Sequence, residues 1–577
     1  MLKGRKNTVV EKFKRLISRP RGGQCLWLVL YLLILLDGGG FNPHTVYFVI
    51  SLSLFYIIIL IRGKGFLIIE KKQTAFWLIL ILLGGMLSVF VGIDSGESIY
   101  GFIRLTAILT AGIAAQQMED SKRVFLLKSF PVIGLILMAG CLLHKYTFFE
   151  EWVSVSGRMN GSFQYSNTMA LFLLLGIVLA EHLLEKRKRI LQIVLALGVL
   201  GTGSRTAFVM LCGYLLFCLV RYKGRNKYVL LVFMGALGAI WAITESGGNL
   251  YSIGRFLKLS TNASTFQGRL LYWEDAVRML LKHPFGLGYM GYFYLQQAEQ
   301  TGVYSVRFVH NEWLQWVLDY GIVAGIGLVG YLFGKWRQST ISALGKEMLC
   351  LIAIYSFFDF HLQFFSIILI VLLLIPRGDV VWQYEWSGKK KGIWYGLLIG
   401  VGISVCLLLS VVVAECYAKS GNYGQAIKWN SLSAQYKQEY LLASDNLEAA
   451  DRYACELLKE NQYLYPAYLI RSNAAAQRGE LDKFVENRKQ VLRLRKYKMQ
   501  EYEDYFQILF GWYMEACEEK NVSETKKCMD EMKAIQEMIE DTKKHTSVRA
   551  YRIQEKPDLM LDKEYVDLME KMEGENK

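Results

Sequence analysis

The sequence lacks the features that usually hold metals or nucleotides. Its ten cysteines show no metal-ligand spacing, and six of them lie in long apolar runs, where cysteine behaves as a small hydrophobic residue. No pair of carboxylates, His/Cys cluster or phosphate-cradling glycine loop stands out. We therefore expect neither a metal nor another cofactor.

A second absence divides the chain into two parts. From Glu415 onward no apolar run is long enough to span a bilayer, whereas before it long apolar runs alternate with short, mostly basic connections. The first apolar run has no small-residue cleavage site, so we interpret it as an uncleaved first span. The sequence predicts a transmembrane domain over residues 1–414 and a soluble domain over residues 415–577.

The basic charge balance follows the apolar runs. The chain has 66 lysines and arginines against 51 acidic residues, a net charge of +15. The basic residues cluster beside the apolar runs, which indicates membrane topology and contact with anionic lipid and argues against nucleic-acid binding.

The apolar runs predict an all-α, polytopic transmembrane bundle. A transmembrane helix needs about 20 mostly apolar residues, and about 12 to 13 segments qualify, several of them short. The candidate spans are approximately 24–36, 44–61, 74–93, 98–117, 124–146, 166–184, 190–203, 205–220, 228–244, 312–334, 347–360, 362–376 and 393–414.

Charge bias orients these spans. Lysine and arginine are concentrated in the connections 1–24, 62–72, 185–189 and 221–227. The intervening connections carry acidic residues, so the N-terminus is predicted to be cytoplasmic. Both flanks of 347–376 are basic, which favours a hairpin with Asp359 and His361 near its outer tip. The odd number of spans then predicts that the tail from Glu415 and the connection 246–311 both lie outside the cytoplasm.

The composition of the tail predicts helices throughout. Part of it resembles tetratricopeptide helix-turn-helix units, although the spacing between these units is irregular, and a plain helical bundle is the alternative. The residues that carry the similarity are Ala467, Arg471, Ala475, Gly479, Leu492, Leu494 and Tyr497, with Gly421, Tyr423 and Ala426 in an earlier unit. We expect a module that positions an acceptor or a protein partner and leaves catalysis to the membrane part.

Ionisable residues at membrane depth are candidates for function, because each costs at least about 2.5–3.5 kcal/mol on insertion scales. Arg205 follows a Gly-Thr-Gly-Ser turn between two apolar runs, and the predicted topology opens this turn outward. Arg104 lies in the outer half of the fourth span. Snorkelling to the interface is the structural alternative for both.

The connection 246–311 carries six basic residues, which favours a polyanionic or diphosphate ligand. Apolar residues at helical spacing predict an amphipathic helix from about Gly268 to Pro284, with Arg269 at its start. His310 lies where the next span begins, and a helix start disfavours the imidazolium form. A neutral imidazole can accept a proton as a general base, and His361 is the rival candidate.

Segment 157–170 is rich in polar residues and glycine. Gly157 and Gly161 predict a turn, and Ser166 or Asn167 is expected to cap the sixth span.

Three segments together resemble the O-antigen ligase and polymerase family of polytopic membrane proteins. The similarity covers about residues 24–376, and one departure is Ser166, where the family usually shows proline. The residues that carry it are Arg158 to Ala170; Gly203, Ser204 and Arg205; and Arg269, Trp273, Pro284, Gly286, Gly288, His310, Asn311, Leu314 and Gly321.

This resemblance implies a lipid-dependent, all-helical glycosyltransferase fold. The donor would be a glycan on a polyprenyl diphosphate, and the acceptor a hydroxyl of a glycan or another molecule. The resemblance implies that Arg205 and Arg269 hold the diphosphate and that His310 activates the acceptor. Further candidates for substrate binding are Arg158, Asn167, Asn311 and Arg104.

Two other classes of function agree less well with these residues. A transporter or channel predicts polar groups spread through the spans, whereas here the basic cluster lies at the outer face. A non-catalytic membrane anchor for the tail would leave Arg205 unexplained. The sequence does not separate a polymerase from a ligase, because both use the same kind of donor.

Overall fold

The computed structural model describes residues 20–64, 66–70, 72–185, 188–221, 264–338, 340–375, 381–385 and 391–575. Helices dominate this part of the chain. The first eight are α1 Pro20–Leu36, α2 Pro43–Lys64, α3 Lys72–Val91, α4 Ser95–Gln116, α5 Asp120–Leu142, α6 Ser166–Leu183, α7 Lys188–Gly201 and α8 Arg205–Arg221. Six more follow: α9 Ser264–Lys282, α10 Gly291–Glu299, α11 Glu312–Trp336, α12 Ala343–Tyr355, α13 Phe365–Leu374 and α14 Lys391–Lys419.

These helices confirm the polytopic bundle. Seven of them are long and apolar enough to cross a membrane, and two shorter apolar helices fall at predicted spans. The amphipathic helix predicted after residue 268 is α9, which begins four residues earlier. The predicted ninth span, 228–244, lies outside the described residues.

Helix α6 forms the centre of the membrane domain. It is apolar around its whole circumference and is buried along nearly all its length. Helices α5, α7, α8 and α12 pack around it. Its first residues lie beside the polar segment 157–165, so the central helix begins at the place where candidate site residues are concentrated.

Small residues allow other helices to approach closely. A Cβ at Gly84 of α3 would lie 2.5 Å from the backbone nitrogen of Ala324 in α11, which is the kind of contact that drives helix association in lipid. Gly321 has a φ of +80° and kinks α11, and a Cβ there would meet the carbonyl oxygen of Phe285 at 2.5 Å. This close approach fixes the connection between α9 and α10 against α11.

The segment 347–376 contains two helices rather than one, as the predicted hairpin requires, whereas their two passes through the membrane stay a prediction. Helices α12 and α13 are joined by residues 356–364, which contain a short 3-10 turn at His361–Gln363. The connection that follows this hairpin meets the connection between α2 and α3. Strand β1 (Phe66–Glu70) pairs antiparallel with β2 (Val381–Glu385), and Ile68 lies opposite Gln383.

The tail is helical, as predicted, and its likeness to tetratricopeptide repeats stays a prediction. Gly421 and Gly479 take left-handed φ angles of +75° and +69° where helices end. The helices of the tail are α15 Tyr423–Trp429, α16 Ala434–Leu442, α17 Leu447–Glu460, α18 Tyr465–Gln477, α19 Leu481–Leu494, α20 Met499–Glu518, α21 Val522–His545 and α22 Lys563–Glu575.

The tail packs onto the same face of the bundle as α9 and α10. Asn461 Nδ2 donates to buried Asp94 Oδ2 at 3.0 Å, and Lys496 Nζ donates to the Ala298 carbonyl at 2.8 Å. The tail and the described part of the connection 246–311 therefore lie on one face, as the predicted topology requires. That this face is the outer one stays a prediction.

Two local predictions at helix starts need correction. Helix α6 has Tyr165 at its N-cap and no side-chain cap. Ser166 donates to Asn160 Oδ1 instead, and Asn167 turns toward the α12–α13 hairpin. Helix α11 is capped by Asn311, so His310 precedes the cap in a left-handed conformation with a φ of +54°.

Candidate functional site

Arg158 connects two of the segments singled out in the sequence. It follows the turn at Gly157, whose φ of +74° suits glycine. Its Nε donates to the carbonyl of Thr202 at 2.7 Å, and its Nη2 donates to Asn167 Oδ1 at 3.1 Å. One half-buried guanidinium thus joins the turn before α8 to the start of α6.

Asn167 extends this hydrogen-bond network to Asp359 at the tip of the hairpin. Its Nδ2 lies 2.5 Å from Asp359 Oδ2 and 3.1 Å from the hydroxyl of Tyr165. Because Oδ1 accepts from Arg158 while Nδ2 donates to the carboxylate, both ends of this amide are used.

Asp359 is the centre of the cluster. Its Oδ1 accepts from Tyr165 Oη at 2.8 Å and from the backbone N–H of Phe360 at 3.0 Å. Its Oδ2 accepts from Arg269 Nη2 at 3.3 Å. Only 2% of its side chain is exposed. A carboxylate this deeply buried needs such a set of donors to remain charged.

The donors also decide the protonation state of Asp359. Burial alone would raise the pKa of this carboxyl group, but the hydrogen bond from His310 and the positive charge of Arg269 hold its pKa below the usual range. The side chain is therefore an anion at neutral pH and can only accept hydrogen bonds.

His310 is the third partner of Asp359 Oδ1, with Nδ1 at 3.1 Å. Because the carboxylate can only accept, Nδ1 carries the hydrogen, so in the neutral form of the ring Nε2 has the free lone pair. The ring of Phe360 packs with its centroid 5.0 Å from the imidazole, and 21% of the His310 side chain is exposed. The orientation suits proton acceptance at Nε2.

Arg269 reaches the cluster from α9. Its contact with Asp359 is the one hydrogen bond that its guanidinium makes to the described residues, and 20% of the side chain is exposed. Trp273, one turn later, lies against Phe358 of the hairpin. The Arg-x-x-x-Trp motif thus faces the hairpin, and most of the guanidinium donors remain available to an anion.

Arg205 begins α8 directly after a turn that touches the cluster. Gly203 in this turn has a φ of +63°. The preceding Ser204 lies 2.9 Å from the hydroxyl of Tyr355, which also donates to the carbonyl of Asn167 at 3.3 Å. The backbone therefore brings half-buried Arg205 next to the cluster.

Two predicted substrate-binding residues have other partners. Arg104 is buried, donates to the Leu362 carbonyl at 2.8 Å and packs over the ring of Phe365. Through these contacts Arg104 supports the hairpin, and it does not join the cluster around Asp359. Asn311 uses its Oδ1 to cap α11 through the N–H of Leu314 at 3.1 Å.

The rival histidine, His361, is separate from the cluster. Its side chain is fully buried, its Nδ1 lies 3.1 Å from Thr168 Oγ1, and its ring packs on Tyr355. Burial lowers the pKa of His361 to about 4. This imidazole is neutral and inaccessible, which fits a packing role.

Sequence reasoning missed Asp359 and Tyr165 as members of the site. Asp359 was used only to mark the outer tip of the hairpin. An acidic residue within a 30-residue apolar segment was the available signal, because ionisable groups at membrane depth require a partner. For Tyr165 the sequence held no comparable signal.

Part of this site lies in a segment that matches a known protein family. The family model for O-antigen ligase matches residues 190–329, which include Arg205, Arg269 and His310. Arg158, Asn167 and Asp359 lie outside the matched segment. The comparisons with curated proteins and with solved structures give no significant match.

Proposed function

We propose that this chain, whose residues 190–329 match the family model for O-antigen ligase, transfers a glycan from a polyprenyl diphosphate to an acceptor hydroxyl at the outer face of the membrane. The family match supports a more general description: a multi-pass membrane protein with a glycosyltransferase-like role in surface polysaccharide biosynthesis.

One observation carries the proposal. A single buried carboxylate, Asp359, holds the proposed base His310 on one oxygen and the proposed diphosphate ligand Arg269 on the other. These two residues come from opposite ends of the described part of a long connection. Their convergence supports a shared substrate, with the donor phosphates near Arg269 and the acceptor hydroxyl near His310 Nε2.

The proposed reaction needs one base and several fixed cations. His310 Nε2 removes the acceptor proton as the acceptor oxygen bonds to the anomeric carbon, and the bond from that carbon to the diphosphate oxygen breaks. The leaving diphosphate takes the electron pair, and the guanidinium groups of Arg269 and Arg205 stabilise the negative charge that develops on it. The imidazolium then loses its proton to solvent.

Asp359 is a positioning residue in this scheme. Its bond to Nδ1–H fixes the tautomer in which Nε2 is the base, and its negative charge stabilises the imidazolium that forms. Asn167 and Arg158 extend the support to the turn before α8. Whether the acceptor is the growing glycan or another molecule separates a polymerase from a ligase, and the proposal covers both.

His310→Ala tests the proposal, with His361→Ala as the matched control. Purified protein in lipid vesicles is given a polyprenyl diphosphate glycan and its acceptor, and the product is measured by gel. Loss of a general base lowers rates by about 10²–10⁴, so His310→Ala should be nearly inactive at normal protein levels, whereas His361→Ala keeps most activity. Wild-type rates from His310→Ala would overturn the proposal.

A further inference from the structure

The C-terminal segment 547–553 lies against the helix that carries Arg269. It follows α21, and its first backbone N–H, from Ser547, donates to the carbonyl of Thr301 at 2.9 Å. Its middle residues pack on α9. We call this segment the tail clamp.

Arg549 in the tail clamp grips α9 at two points. Its Nη1 donates to Gln267 Oε1 at 2.7 Å, and its Nε and Nη2 lie 3.1 and 2.8 Å from Glu274 Oε1. Gln267 and Glu274 are seven residues apart, which is close to two full turns, so they lie on one face of the helix. A single guanidinium therefore spans two turns of α9.

Apolar packing seals the same face. Ala550 and Leu271 are fully buried and share a small cluster with Ile553 and Tyr304. A Cβ at Gly302 would lie 2.7 Å from the Cβ of Ala550, so the clamp also excludes larger residues from the neighbouring loop. Contacts this close leave little freedom for α9 to shift toward the tail.

Arg269 points away from the clamp. At about 100° per residue, it lies about 200° around the helix from Gln267, and it contacts Asp359 on that side. Trp273 lies on the same side, against Phe358. Helix α9 is thus held between the hairpin, which receives Arg269, and the tail clamp, which supports the opposite face.

We infer that the tail clamp positions Arg269, with Arg549 as its key positioning residue, so that the tail forms part of the transferase in addition to any acceptor or partner it binds. This inference rests on the proposed function. It also sharpens the expectation that the tail leaves catalysis to the membrane domain: the tail contributes no reacting group, but it fixes the helix that does.

Charge reversal is a sharper probe of the clamp than truncation. Arg549 and Glu274 are partly exposed, at 27% and 44%, and deletion of one such ion pair has a small effect. Arg549→Glu instead faces two carboxylates toward each other and should displace α9. Misplacement of a positioned group by about 1 Å can cost 10²-fold in rate, so effects of about tenfold are within reach of the assay.

The test uses the full-length protein and the assay described for His310. Arg549→Glu and Glu274→Arg should each raise the KM for the lipid-linked donor and lower kcat/KM by about tenfold. The double variant Arg549→Glu/Glu274→Arg restores opposite charges and should recover to within about threefold of wild type. Arg552→Glu, an exposed residue in the same segment, is the control and should stay within about twofold.

The outcomes separate the inference from the function on which it rests. If His310→Ala is inactive but Arg549→Glu retains wild-type kinetic constants, the clamp inference is wrong and the proposed function stands. A double variant no better than either single variant would also overturn the clamp, because it would show that the contact is not specific. If His310→Ala transfers glycan normally, the proposed function itself fails.

Discussion

A histidine, a carboxylate and an arginine meet near each end of α6, and the surroundings of the two sets differ. At one end, His310 and Arg269 meet Asp359. At the other, His182 Nε2 lies 2.7 Å from Glu347 Oε2, and Arg221 pairs with the other oxygen of Glu347. From Asn167 to His182 the helix rises about 22 Å, so the two histidine–carboxylate–arginine sets lie on opposite sides of the bundle.

The surroundings of the two sets distinguish a structural ion-pair cluster from a candidate active site. His182, Arg221 and Glu347 lie in end turns of α6, α8 and α12. His182 and Arg221 are at helix C-termini, where the helix dipole favours positive charge. Asp359, by contrast, lies in a loop and receives four side-chain donors from three separate segments. A buried carboxylate such as Asp359, whose partners are partly exposed, can position those partners for a substrate. Ion pairs between helix ends, such as those of Glu347, mainly stabilise the packing of the helices.

The largest expected effect comes from neutralising Asp359, with neutralisation of Glu347 as the matched control. Asp359→Asn keeps the shape but removes the charge, so it no longer fixes the tautomer of His310 or stabilises the imidazolium. We expect glycan transfer to fall by about 10²–10⁴, as for loss of the base itself. Glu347→Gln should change transfer by less than about threefold, because it weakens a partly exposed ion pair.

The measurement is the initial rate of transfer in vesicles, with protein levels and thermal stability recorded for both variants. Equal losses of activity from Asp359→Asn and Glu347→Gln, at unchanged stability, would show that the two ends do not differ in the way we describe.

A smaller effect is expected from the arginines. Arg269→Ala and Arg205→Ala should each lower the transfer rate by about 10²–10³, because each removes a donor to the leaving diphosphate. Lysine at either position should restore activity only in part, because it lacks the guanidinium fork. Arg221→Ala is the matched control for Arg205, since these residues are the last and first of α8.

For the arginine variants, kcat/KM for the lipid-linked donor is the relevant quantity. Arg221→Ala should stay within about threefold of wild type, because its partly exposed ion pair serves stability. A loss from Arg221→Ala as large as that from Arg205→Ala would contradict a site confined to one end of the bundle.

The contrast between the two ends also shows what the sequence could and could not predict. The spans follow from long apolar runs, the hairpin at 347–376 from the basic charge on both its flanks, and the amphipathic helix around Arg269 from apolar periodicity. Arg205 is a cation between two apolar runs, Arg269 belongs to the basic excess of the connection 246–311, and His310 lies at a predicted helix start. These signals are local, and they do not depend on which helices become neighbours.

The centre of the cluster was not predictable in this way. Asp359 acquires its role from side-chain donors that lie between 49 and 194 residues away in the chain, and no periodic pattern encodes such contacts. The same limit explains why Ser166 and Asn167 were assigned to capping: both residue types favour helix starts, but tertiary contacts with Asn160 and Asp359 use their side chains instead.

The smallest effect is expected from Tyr165, whose hydroxyl donates to Asp359 Oδ1 at 2.8 Å and accepts from Asn167. Tyr165→Phe removes one donor to the carboxylate but leaves His310, Arg269 and Asn167 in place. A hydrogen bond to a charged group contributes about 1.5–3 kcal/mol, so loss of this one should lower transfer by about tenfold as the remaining donors compensate in part. Tyr395→Phe, at an exposed position on α14, should have no effect beyond about twofold. If Tyr165→Phe matched Asp359→Asn in severity, the hydroxyl would have to act on the substrate directly rather than through the carboxylate. If it matched Tyr395→Phe, the carboxylate would not need the fourth side-chain donor, and its position would depend on His310, Arg269 and Asn167 alone.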